Sequence, residues 1–72
     1  MNAKQSRMAR SGLGWRASDL AAAAKVGTAT VARFELGETV APESVEKMRK
    51  ALADAGADFT RRAGRVGVTV PE

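Results

Sequence analysis

The chain has no cysteine and no histidine among its 72 residues. Without cysteine there is no disulfide and no thiol chemistry, and a zinc site would have only carboxylates to draw on. Without histidine, none of Ser6, Ser11, Ser18 or Ser44 has the usual partner that would activate it as a nucleophile. Asp19, Glu35, Asp54 and Asp58 are scattered among basic neighbours, with no close carboxylate pair on one face. No glycine-rich phosphate loop follows a strand. The expectation is no enzyme, no metal and no cofactor. Long apolar runs are missing too. The longest, Leu20 to Ala24, falls far short of the ~20 residues that span a bilayer. Met1 to Arg10 is polar and basic with no apolar run behind it, so no signal peptide is expected. These absences predict a soluble, cytoplasmic protein without membrane contact.

What is present is a small basic domain rich in alanine. Apolar residues make up 44%, and alanine supplies much of that, so the core must be small and closely packed. A chain this short buries a modest fraction of its surface, and dimerisation would help it. Twelve Lys and Arg against eight Asp and Glu give a net charge of +4, which favours a polyanionic partner.

Four helices and a hairpin are predicted. Asn2 through Ser11 reads as a first helix, capped by Asn2 and stopped by Gly12 and Gly14. Its inward stripe is Ser6, Ala9 and Leu13, with Met8 beside it, and Trp15 plugs the gap to the next helix. A second helix runs from Ala17 to Ala24, and a third from Thr28 to Leu36, ending at Gly37. Pro42 opens a fourth that buries Val45, Met48, Leu52 and Ala55 and ends at Gly56. Outside, Glu43–Lys47 and Glu46–Lys50 have the spacing of i,i+4 ion pairs. Beyond Gly56, Phe59 to Arg62 and Val66 to Val70 read as two short strands around a turn that contains glycine. A lone hairpin is marginal in water, so it must pack on the helices or on another chain.

The stretch from Leu20 to Gly37 is the most telling. Its apolar residues fit two short helices, each with one buried stripe, joined by a turn too tight to let them lie antiparallel. Ala21 lets the second of them approach, Val26 fills the elbow, and Val31 and Phe34 point back into the core. The opposite face carries Thr28, Ala29, Ala32 and Arg33. It is narrow, flat and mildly basic, a shape suited to a DNA major groove.

Across Gln5 to Phe59 these residues resemble the Cro/cI-type (XRE) helix-turn-helix transcriptional regulators. The likeness rests on Gly14-Trp15, Leu20-Ala21, Val26, Val31, Phe34-Glu35, Gly37 and the helix from Val45 to Gly56. It implies a mainly α, four-helix lambda-repressor-like domain over 1–56, followed by a β-hairpin tail over 57–72. It also implies a third helix that enters the major groove of double-stranded DNA and a second helix that lies across the backbone. Thr28, Ala29, Ala32 and Arg33 would then face base edges. Arg16, Ala17, Lys25, Thr30 and Thr39 would form the phosphate set. Arg10 and Glu35 occupy the places where the family links its first and third helices by an ion pair.

The chain departs from the family at four positions. Arg16 stands where a capping Ser or Thr is usual, Ala17 where a phosphate-binding Gln is usual, and Gly27 where a Ser caps the third helix. Lys25 replaces the turn glycine, and a non-glycine residue in a left-handed conformation costs about 1–2 kcal/mol.

Two functions remain open. One is a dimeric repressor that occupies a near-palindromic operator with helix 28–36, with no small-molecule ligand and with Phe59, Val66, Val68 and Val70 as the dimer contact. The other is an antitoxin or anti-activator that uses the same scaffold to bind a protein.

Overall fold

The computed structural model describes residues 1–72. It contains α1 (Ala3–Leu13), α2 (Ala17–Ala24), α3 (Thr28–Glu35), α4 (Pro42–Asp54), β1 (Asp58–Arg62) and β2 (Arg65–Thr69). The molecule is therefore mostly helical, with an antiparallel two-stranded hairpin at its C-terminal end. No helix is long and apolar enough to cross a membrane.

All four helices stop in the same way. Past the end of each, a residue with positive φ turns the chain, and two amides reach back to carbonyls the helix has left free. After α3, Gly37 N–H donates to the Phe34 carbonyl and Glu38 N–H to the Arg33 carbonyl, both at 3.0 Å. After α4, Gly56 and Ala57 do the same toward Ala53 and Leu52. The left-handed residues are Gly14, Lys25, Gly37 and Gly56. Only the stop between α2 and α3 uses a side chain-bearing residue, Lys25, at φ 58° and ψ 45°.

The end of α1 and the ion pairing on α4 differ from expectation. Gly12 does not stop α1, which continues to Leu13 and is closed by Gly14. The reason is packing: a Cβ on Gly12 would lie 2.8 Å from a Val70 methyl, so the glycine makes room for the end of the hairpin. On α4, neither expected lysine pair forms. Arg49 instead holds Glu46 through two nitrogens, at 2.5 and 2.9 Å, because its fork reaches back one turn at i,i+3.

The core comprises Ala9, Leu20, Ala21, Ala24, Val31, Met48, Leu52 and Ala57. Four of these eight are alanines, which lets the helices approach closely. Trp15, Val26, Phe34 and Leu13 are half-buried around it. Val45 and Ala55, expected inside, are also only half-buried, while Met8 is exposed.

The hairpin turns through Ala63-Gly64, both with positive φ, as a two-residue type I′ turn requires. It lies against α1. The Gln5 amide nitrogen donates to the carbonyls of Thr60 (2.9 Å) and Gly67 (3.3 Å), one in each strand. The same side chain's oxygen accepts from Asn2 N–H, so one amide both caps α1 and holds the hairpin.

Candidate nucleic-acid interface

The site is assembled from α3 outward. Val31 is fully buried and Phe34 half-buried, which turns the opposite face toward solvent. On that face Thr28, Ala29, Ala32 and Arg33 are all exposed. Arg33 has no carboxylate partner, and neither do Arg16 and Lys25, since the chain has only two salt bridges and both lie elsewhere. Three cations around α2 and α3 are thus free to meet an anion.

The inner side of the same helix is fixed by a polar cluster. Glu35, the last residue of α3, is buried, and its carboxylate faces the Arg10 guanidinium side-on. Arg10 Nη2 donates to Oε1 at 2.7 Å, and Nε to Oε2 at 3.0 Å. The Ser6 hydroxyl, wholly buried, donates to Oε2 at 2.7 Å. Arg7 donates to the Glu35 backbone carbonyl, which lies at the negative end of the helix. Arg10 also donates through Nη1 to the Trp15 carbonyl at 3.1 Å, just ahead of α2. One guanidinium therefore ties α1, the start of α2 and the end of α3 together.

Opposed effects act on the Glu35 carboxyl. Burial pushes its pKa up, but hydrogen bonds from Arg10 and Ser6, with the charges of Arg10 and Arg7, outweigh this and hold it below its ordinary 4.5. The hydrogen bond to Glu35 likewise keeps Arg10 protonated against its own desolvation.

α2 starts without a capping oxygen at Arg16, as its sequence requires. Asp19 compensates in part: its carboxylate accepts from Arg16 N–H at 2.7 Å. Ala17 is half-buried, so what it offers a partner is chiefly backbone at the positive end of α2. Thr30 is half-buried beside Gly27, and Thr39 is exposed in the loop before α4. Gly27, with φ −70° and ψ 145°, begins α3 with no side-chain bond.

The hairpin residues have a different placement. Phe59, Val68 and Val70 pack against this chain's own core, and Val66 is half-buried across from Arg61. The apolar sides of Phe59, Val68 and Val70 are used within the molecule. A contact between copies through the hairpin would therefore involve strand edges or its other face.

The contacts of Gln5 with the hairpin and of Ser6 and Arg7 with Glu35 are not anticipated by the sequence. The Asn2–Gln5 spacing of a capping box was a readable signal for Gln5, and a serine in an inward stripe was one for Ser6. Nothing local marked Arg7. The one concavity, about 320 Å³, lies between the end of α2 and α4. Its walls are Ala23, Ala24 and Ala51, with Lys25, Lys47, Lys50 and Asp54 around them. No group of three acidic side chains converges to hold a metal ion. No family model matches the chain, and no curated protein is significantly similar to it.

Proposed function

We propose that this protein binds double-stranded DNA sequence-specifically and regulates transcription, with α2, the Lys25–Gly27 elbow and α3 acting as a helix-turn-helix of the Cro/cI type. Two copies acting as a repressor would place their α3 helices in successive major grooves, about 34–36 Å apart on a near-palindromic site. The observation that carries this reading is a helix with two opposed roles. Its outer face is free of acid and presents an unpaired Arg33 flanked by small residues, while its last turn is locked from behind by Arg10 and Ser6. A reading head must be both accessible and fixed in direction. An eight-residue helix is about 12 Å long, close to the width of the major groove.

Lys25 adds support. A lysine in the left-handed region costs stability that a glycine would not, and such strain is commonly kept where a side chain has work to do. Lys25→Gly should raise unfolding free energy by about 1 kcal/mol in urea titration while weakening DNA binding. A gain in stability with unchanged binding would remove Lys25 from the phosphate set. No catalytic role is proposed for any residue.

One observation favours a protein partner instead. Leu36, directly after α3, is 79% exposed. The two readings separate in a selection from randomised duplexes. Wild type should enrich a near-palindrome, and Arg33→Ala should keep the fold and lose about 5–150-fold of the discrimination, the worth of one good bidentate base contact. A wild type that enriches nothing, or an Arg33→Ala variant that discriminates equally well, overturns the proposal.

A further inference from the structure

The hairpin tip carries a second charged feature, away from the start of α2. Arg62 and Arg65 are direct cross-strand partners on one face of the hairpin, and Arg61 lies next to them on the other. Like charges placed opposite each other destabilise a strand pair. No carboxylate relieves them, because neither salt bridge of the chain involves the hairpin. All three arginines are exposed.

The turn between them is unusual in a way that bears on the charge. Type I′ turns favour Asn, Asp or Gly at the first central position, where φ is positive. Here that position is Ala63, at φ 49°. An Asp there would have added a negative charge one residue from Arg62 and two from Arg65. The alanine accepts backbone strain and leaves the tip purely cationic.

The tip's location follows from two contacts. Gln5 meets Thr60 and Gly67, while Gly12 meets Val70, so the hairpin runs along α1 with its turn beyond the N-terminal half of that helix. Ala63 lies three residues past Thr60, about 10 Å further out. α2 begins at the other end of α1, where Arg10 holds the Trp15 carbonyl. The tip arginines and Arg16 thus sit toward opposite ends of α1.

We infer that the Arg61-Arg62-Arg65 tip is a separate contact for the phosphate backbone of double-stranded DNA, which would let one chain hold two duplex segments. Guanidinium forks match phosphate geometry, and an unrelieved Arg–Arg pair is what a bridging phosphate would neutralise. Single-stranded nucleic acid fits less well, because it is held by stacking on aromatic rings. Trp15, Phe34 and Phe59 are all packed against the core, and none stands at the tip. This inference goes beyond the α3 reading, because it needs no base contact and no operator.

The test is fluorescence anisotropy on a labelled random-sequence duplex of about 20 base pairs over a salt series, with circular dichroism as a check on folding. Three full-length proteins are compared: wild type, R62Q/R65Q and K47Q/K50Q. The last removes the same charge from exposed positions on α4, so contact is separated from net charge. The plot of log K against log salt should flatten by about 1.8 in R62Q/R65Q, with affinity near 50 mM salt down roughly tenfold or more. K47Q/K50Q should stay close to wild type. Equal slopes in wild type and R62Q/R65Q, equal losses in both double variants, or no duplex binding by wild type would overturn the inference. A loss by R62Q/R65Q seen only on phosphatidylserine vesicles or on a poly-glutamate peptide would overturn it in favour of those partners. None of these readouts uses sequence discrimination, so failure here and failure of the Arg33→Ala selection are distinguishable.

Discussion

Two arginine–glutamate pairs in this molecule have nearly the same geometry and opposite significance. Arg10–Glu35 and Glu46–Arg49 each engage both carboxylate oxygens, with closest contacts of 2.7 and 2.5 Å. The second is the shorter. It lies in the open on α4, where water and salt screen it and two long side chains lose freedom to form it. The first joins residues 25 apart in sequence, is mostly buried, and has a serine and a second arginine around it. What distinguishes them is what remains when one partner is removed. Around Glu46 water fills in. Around Glu35 a guanidinium and a buried hydroxyl lose their acceptor.

Glu35→Ala should break that contrast most visibly, lowering unfolding free energy by about 3 kcal/mol in urea titration because a charge is left buried and unpaired. A change below about 0.5 kcal/mol would place Arg10–Glu35 in the same class as the α4 pair. Acid should act next. The folded-state pKa of Glu35 is depressed, so its contribution is present above the ordinary 4.5 and is lost as pH falls through the lower folded value. Comparing urea midpoints from pH 7 down to about pH 2 with those of Glu35→Gln, the wild type should show an acid loss that the variant lacks. Ser6→Ala should cost about 1–2 kcal/mol by taking one donor from a buried carboxylate. Glu46→Ala should leave the urea midpoint unchanged, and a clear loss there would show that the exposed pair contributes more than screening allows.

Much of the fold was legible in the sequence because helix stops and apolar spacing are local properties. Gly37, Gly56 and Pro42 mark their boundaries correctly, and α2 is read to the residue. Gly12 and Gly14 lie too close together for the sequence to reveal which one turns the chain. That depended on Val70, 58 residues away, settling against the helix. The sequence places Ser6 in the inward stripe of α1, but stripe counting cannot anticipate a carboxylate arriving from α3. The Arg10–Glu35 pair came from family resemblance, and the spacing of the two residues gives no local hint of it. The alternating valines revealed which hairpin residues share a face. Whether that face meets its own core or another chain is a tertiary matter, and here Phe59, Val68 and Val70 turn inward.

The central claim, that the outer face of α3 reads duplex DNA, is tested most directly by titrating a selected duplex into isotope-labelled protein and following amide and Arg33 side-chain resonances. The largest shifts should fall on Thr28 to Arg33, with smaller ones at Arg16, Ala17 and Lys25. Shifts confined to Leu36 or to the α2–α4 concavity, with Arg33 unmoved, would contradict it.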